Sequence, residues 1–548
     1  MITDKETNAG DAQAVEKTAP TPASELPQRS VIAVFAGLLV AMIVGSLDQT
    51  IVSTALPTIV GDLGGVNHML WVTTAYVLAA TVTMPVYGKM GDLIGRKGLF
   101  IGALVLFIVG SIVCGLTPSM GGLIIGRAVQ GLGGGGLMIL SQAIVADVVP
   151  PRKRALYLSI MGIAYAVPML IGPLLGGLFT DTIGWRWAFW VNVPLALIAI
   201  ATAIAFLPKA RRTVEKTHFD TWGTVTLVAA ISALTLATSW GGTEHAWNSP
   251  VIIGLMIATV VAGALFVLAE SRAKEPLMAL ELFKNKNFNI ATIAGFVTTF
   301  VMMGVLTYLP TYLQIVDGMS ATAAGYMEVP MSVAYFIASL ISGYAVSKTG
   351  KYKKLMIASF AITAAGVAVL ATITASTPVA IIGVLLAITG FGIGLNFEIL
   401  VLIVQNEFSS KVVGMATAAT NFFREAGTTL GTSIVGAIFT SGLARTLTEK
   451  LAPVGGVEAL GVDANSLTPA IVHDLPETVR SAVGVAYNDA LVPVFFFMLP
   501  LALAGLALML FLRETPLATT VEDSGHMSEG EIRGQRAARA RSKGKQVG

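Results

Sequence analysis

The chain has 548 residues, of which 54% are hydrophobic and 12% charged, with a mean hydropathy of +0.76. An ordinary soluble domain carries roughly 25% charged residues, so the composition excludes that class and reads as an integral membrane protein. Lys and Arg number 35 against 32 Asp and Glu, so the net charge of +3 gives no support for a nucleic-acid partner. The one cysteine, Cys114, excludes both a disulfide framework and a cysteine metal site within the chain.

Residues 1–30 are polar, with no basic stretch followed by a short apolar run, and are expected to be a disordered cytoplasmic tail rather than a cleaved signal peptide. A hydrocarbon core needs about 20 mainly apolar residues per helix. By that measure six spans are expected near Val31–Thr58, Leu70–Val86, Leu99–Leu116, Gly122–Val145, Leu156–Phe179 and Trp187–Leu207. A basic loop, PKARRTVEKTHFD, runs from Pro208 to Asp220 and leads to two more spans, Trp222–Trp240 and Val251–Ala269. After a charged connector, Glu270–Phe288, six more follow near Asn289–Ile315, Ala321–Val346, Leu355–Ala375, Val379–Val404, Val412–Ser441 and Leu491–Leu512.

Charged clusters alternate along these fourteen spans. KMGDLIGRK, PPRKR, PKARR, KNKN, KTGKYKK and the tail RGQRAARARSKGK fall on one side, while GDLGGVNH, TPSM, DGMSATAA and STP fall on the other. The positive-inside rule therefore predicts a multi-pass protein of the cell membrane with both termini cytoplasmic. The expected organisation is an N-terminal six-helix bundle at 31–208, a two-helix insert at 209–288 and a C-terminal six-helix bundle at 289–513. Within the last, 442–488 reads as a long extracytoplasmic loop, and 514–548 as a basic cytoplasmic tail.

A repeat relates the two bundles. GKMGDLIGRKG from Gly88 aligns with GYAVSKTGKYKK from Gly343, pairing Gly88 with Gly343, Gly95 with Gly350 and Arg96 with Lys351, whereas Asp92 meets Ser347. Two six-helix halves rocking about a midplane site are a recurring transporter architecture. Three further stretches stand on the expected helices: LDQTIVSTALP, GRAVQGLGGGG from Gly126, and GIAYAVPMLIGPLLGG from Gly162. With these four motifs the chain resembles the major facilitator superfamily. Within it, the resemblance is to the DHA2 group of fourteen-span drug:proton antiporters, which includes the quaternary-ammonium and uncoupler efflux pumps. It covers about Val31 to Arg513 and implies the all-helical major facilitator fold.

Each motif has a physical reading beside the one the resemblance implies. Asp92 and Arg96 lie in a tight glycine-bounded turn, Gly88, Gly95, where a carboxylate can stabilise a neighbouring helix N-terminus and latch one conformation. Gly162, Gly172, Pro173, Gly176 and Gly177, with Pro168, make the fifth span closely packed and kinked; the resemblance makes this the antiporter motif of exporters. Asp48, Arg127, Arg424 and Glu425 are charges inside apolar spans, where each needs a partner or water, and they are the expected proton-coupling residues. Asp48 stands about 17 residues, or roughly 25 Å, along its helix from Val31, in the outer half. Arg424 is its expected partner, and the resemblance implies that Arg127 takes part in proton transfer.

Glu328, Glu398, Tyr76, Met302, Met303 and Tyr308 are candidates to line a drug cavity, because carboxylates attract cations and flexible thioethers fit varied shapes; for Glu328 and Glu398 binding a proton and snorkelling to an interface are the alternative readings. No Walker sequence, HExxH or GxSxG occurs, so neither ATP hydrolysis nor an intramembrane enzyme or receptor is favoured. The expectation is a monomeric antiporter, without cofactor or metal, that exports lipophilic and often cationic compounds on a proton gradient, in contact with protons and membrane lipids. An exporter of a lipid or endogenous metabolite is the second reading; the short connector Ala375–Pro378 argues against it.

Overall fold

A computed structural model describes residues 28–64, 68–207, 220–242, 244–454 and 469–517. The basic loop from Pro208 lies outside these residues except at Asp220, as do nearly all of the two expected tails. Among the described residues, fourteen helices are long and apolar enough to cross a membrane. In chain order they are α1 Ser30–Leu63, α2 Met69–Ile94, α3 Arg96–Leu116, α4 Met120–Val148, α5 Pro151–Ile183, α6 Trp187–Phe206 and α7 Thr221–Trp240. Then come α8 Pro250–Arg272, α9 Lys286–Val316, α10 Thr322–Thr349, α11 Lys353–Leu370, α12 Val379–Glu407, α13 Val413–Leu451 and α14 Glu477–Phe511. Helices dominate because hydrocarbon leaves backbone groups no partner but one another.

Local chemistry sets the ends and breaks. Ser119, Ser249 and Asn285 cap α4, α8 and α9 through side-chain oxygens that accept from backbone amides. The α2–α3 and α10–α11 turns each require a positive φ, met by Gly95 (93°) and Gly350 (71°), the two glycines that the repeat pairs. Gly162 divides α5 into Pro151–Met161 and Ile163–Leu178. In α10, Glu328 stands at a break, as N-cap of the segment Val329–Thr349.

Two sequence expectations need correction. α1 does not stop at Thr58: Pro57 is accommodated within it and it runs to Leu63, so Asp48 falls near its middle rather than toward one end. The expected loop at 442–488 is in large part helix. α13 continues to Leu451, a short helix forms at Pro469–His473, and α14 begins at Glu477, with 455–468 outside the described residues. Arg445, Glu449 and Lys450 lower hydropathy there without weakening the helix, and Thr446 of α13 holds α14 by donating to the Ala486 carbonyl (2.9 Å).

Packing groups α1 to α6 with one another, and α9 to α14 with one another. Between these sets the main contacts are α2 against α13 and α5 against α10, a reciprocal pair that follows the internal repeat. α7 packs on α2 and α13, where Trp71 meets Trp240 (5.9 Å between rings) and Thr74 bonds Ser239 (3.4 Å). α8 packs on α7 and turns Met256, Ile257 and Val260 outward. That face suits contact with lipid.

Candidate functional site: a central cavity beside a buried ion pair

A cavity of about 330 Å³ lies between the two sets of helices, lined by α1, α2, α4 and α5 on one side and α9, α10, α12 and α13 on the other. Of its 29 lining residues seven are methionines, Met42, Met169, Met302 and Met303 among them, whereas the whole chain of 548 has 21. The wall is thus strongly enriched in the side chain that adapts best to varied shapes. Tyr76, Tyr165, Tyr335 and Phe397 add aromatic faces. Glu425 is the carboxylate on this wall and Arg424 the guanidinium.

Asp48 lies beside the cavity, fully enclosed. Its carboxylate pairs with the Arg127 guanidinium and accepts from Gln130 Nε2 and Asn192 Nδ2, each at 2.7 Å. Arg127 also donates to Gln130 Oε1 (2.8 Å) and to the Val72 carbonyl (3.2 Å), and it stacks 4.3 Å from the Tyr76 ring centroid. Ser111 accepts from Gln130 (2.9 Å). Tyr76 lines the cavity with its ring against Arg127, so one aromatic side chain partitions the ion pair from the open space.

The glycines of α4 make this approach possible. A Cβ at Gly131 would lie 3.0 Å from Tyr76 Cα, and one at Gly134 would lie 2.9 Å from Tyr76 Cζ, so α2 and α4 could not meet as closely with larger residues. α5 closes on α1 similarly. A Cβ at Gly176 would stand 2.8 Å from Thr54 Cβ and 3.0 Å from the Ile51 carbonyl, and Thr50 donates to the Pro168 carbonyl (3.1 Å). The glycine-proline motif therefore holds the stretch of α1 that carries Asp48. Gly177 of the same motif has nothing within 4 Å of its would-be Cβ.

The expected Asp48–Arg424 pair is not formed. Arg424 lies instead with its guanidinium 3.4 Å over the Phe397 ring and donates to Asn421 Oδ1 (3.2 Å). The reason is reach: Arg127 and Asp48 stand on adjoining helices of one bundle, while Arg424 faces them across the cavity. Of the cavity candidates, Tyr76, Met302 and Met303 line the wall. Tyr308 does not, being stacked on Phe439 at 4.5 Å; Glu328 stands away at the α10 break; and Glu398 lies behind Phe397, 1% exposed. Gln130, Asn192 and Ser111 were not foreseen. Gln130 is three residues from Arg127 and so shares its helix face, and an asparagine in the apolar run of α6 is itself a signal. Ser111 carries none.

At the face bearing the basic loops, Asp92 accepts from the amides of Gly414 (3.1 Å) and Met415 (2.7 Å), which open α13. A carboxylate there satisfies two orphan donors and complements the helix dipole. Arg96 donates to Asp92 (2.6 Å) and the Ala143 carbonyl (2.7 Å) and pairs with Asp147. At the repeat-related place, Ser347 offers no carboxylate. There Arg152 of α5 donates to the Ser347 (3.2 Å) and Lys348 (2.8 Å) carbonyls at the end of α10. Gln142 accepts from Asn421 (2.8 Å), and Gln405 donates to the Gln142 carbonyl (3.2 Å), adding two more links between the bundles. The cavity is closed on this side.

The model of the Major Facilitator Superfamily matches residues 38–432. An uncharacterised MFS-type transporter of Mycobacterium tuberculosis is 39% identical over 497 residues, 91% of this chain and 72% of the relative. The multidrug transporter protein MdtP of Bacillus subtilis is 36% identical over 430 residues (78% and 79%), and multidrug resistance protein 3 of the same organism 33% over 504 (90% and 98%). Among solved structures, the proton:xylose symporter XylE superposes with a TM-score of 0.59 at 14% identity, covering 90% of this chain and 98% of its own. The human organic anion transporter MFSD10 gives 0.56 at 16% (87% and 99%).

Proposed function

The chain belongs to the major facilitator superfamily and is a multi-pass membrane transporter, not an enzyme; on that premise we propose that it exports lipophilic, often cationic compounds in exchange for protons. One observation carries this reading. A methionine-rich, aromatic cavity with a carboxylate on its wall adjoins, across Tyr76, a fully buried Asp48–Arg127 pair. The names of the Bacillus relatives, multidrug transporters, agree with it.

The mechanism follows from what each group does. The cavity holds apolar cargo by burial and shape adaptation, and Glu425 attracts its positive charge. Arg127, Gln130 and Asn192 hold the Asp48 carboxyl group in this state. When the helices shift and that shell loosens, a lone carboxylate in a dry surround favours the neutral, protonated form. Cargo and proton thereby occupy the protein in alternation, with no cofactor. With the basic loops toward the cytoplasm by the positive-inside rule, the Asp92 contacts to α13 tie the bundles together on the cytoplasmic side. Breaking the Asp92 contacts to α13 permits the opposite state, which loads cargo.

In everted vesicles holding a preset pH gradient, adding tetraphenylphosphonium or ethidium should collapse the gradient, and Asp48→Asn should abolish the response. Undiminished proton flux in Asp48→Asn overturns the assignment.

A further inference from the structure

Beyond Asp48, a second buried carboxyl has no role in the account above. Glu398 of α12 is 1% exposed, and neither of its oxygens has a hydrogen-bond partner. Buried polar groups without partners are rare enough that each needs an explanation. An ionised carboxylate in that state is the costliest arrangement a membrane interior offers. Carrying a proton removes the net charge.

Two further unpartnered groups stand around the same aromatic hub. Phe397 receives Tyr335 (5.5 Å) and Tyr165 (5.6 Å) edge-on and Arg424 over its face (3.4 Å). Tyr335 Oη and Arg424 Nη2 have no hydrogen-bond partner. The groups in electrostatic reach of Glu398 are Arg424 from α13, Tyr335 from α10 and Tyr165 from α5. Among the described residues no ion pair closes on Arg424, so it remains a cation ready for a carboxylate. Phe397 lines the cavity while Glu398, the next residue on the helix, lies behind it.

We propose that Glu398 is a second proton-carrying site, lodged in the C-terminal bundle behind Phe397, which holds a proton in the closed state described here and yields it when rearrangement of Phe397 lets the carboxylate pair with Arg424. The inference deepens the antiport reading and rests on it for the role of this proton in the cycle. It assigns one exchangeable proton to each bundle: Asp48 with Arg127 in the first, Glu398 with Arg424 in the second. Glu398 is then no contact for cargo, and Glu425 is the carboxylate that cargo meets. With two protons entering for each monovalent cation leaving, export moves net charge inward and responds to membrane potential.

The direct test is infrared spectroscopy of the full chain reconstituted in lipid at neutral pH. Wild type and Asp48→Asn should both show a carbonyl stretch of a protonated carboxylic acid that Glu398→Gln lacks, and Glu398→Asp, which keeps the carboxyl on a shorter arm, should shift that band. Identical spectra for wild type, Glu398→Gln and Glu398→Asp overturn the proposal, and the aspartate variant decides the matter if the glutamine variant does not fold. A second measurement reads the cycle. Tetraphenylphosphonium transport by wild type should respond to both pH gradient and membrane potential, while Glu398→Gln should lose the response to potential as its proton count falls from two to one. An unchanged response to potential in that variant also overturns it. Failure of the parent reading looks different: wild-type vesicles would then move no protons on adding the cation, whatever the infrared band does.

Discussion

At the scale of single residues, the Asp48–Arg127 pair is the most consequential contact because neither partner has water to fall back on. Removing one partner of a buried pair leaves a bare charge and costs about 3–5 kcal/mol, whereas removing both is milder. Arg127→Leu should therefore lower the melting temperature of the purified protein more than the double variant Asp48→Asn with Arg127→Leu does. A double-variant loss equal to the sum of the Asp48→Asn and Arg127→Leu losses would mean the pair is uncoupled. Gln130 is held by three side chains, accepting from Arg127 and donating to Asp48 and Ser111. Gln130→Leu should accordingly reduce transport while leaving cavity binding of a fluorescent cation intact, which paired uptake and quenching measurements would check.

At the scale of elements, the packing of α5 on α1 is uneven along one motif. Gly176 faces Thr54 and the Ile51 backbone, while Gly177 faces open space. A valine at 176 must push two helices apart, and overpacking of this kind costs roughly 1–3 kcal/mol. Gly176→Val should abolish transport and Gly177→Val should be tolerated, as read by drug efflux from cells at matched expression. Loss of efflux in both would locate the motif's role in backbone freedom rather than helix approach. This asymmetry was not legible in the sequence, where all the glycines of the stretch look alike, because only the rotation of α5 against α1 tells them apart.

Taken as a whole, the molecule is tied together on its basic face by two charged side chains that each make two bonds across the bundles, Arg152 to the end of α10 and Asp92 to the start of α13. Asp92 grips two amides of α13, and hydrogen bonds to a charged group contribute about 1.5–3 kcal/mol. Asp92→Asn should shift the population toward opening on that face by roughly tenfold or more, since 1.4 kcal/mol corresponds to a factor of ten. A reporter cysteine at Ala418, which is buried against Gly88, should then react faster with an impermeant thiol reagent added from the basic side. Cys114 is enclosed and contributes little background. Unchanged reactivity would show that the latch does not hold this face shut.

Sequence alone determined the properties that depend on composition and local spacing. Fourteen spans follow from stretches of apolar residues, the positive-φ turns at Gly95 and Gly350 from a repeat that only glycine satisfies, and the affinity of Asp92 for a helix end from its chemistry. What the tertiary structure decided is partnership. Asp48 meets Arg127, 79 residues away, and not Arg424, and of the carboxylates Glu398 and Glu425 one lies behind the wall and the other on it. Each helical residue turns its side chain about 100° from the last. Whether a membrane charge finds a counter-charge, a cavity or an aromatic ring therefore depends on the rotation of its helix against neighbours, and close packing across the whole bundle sets that rotation.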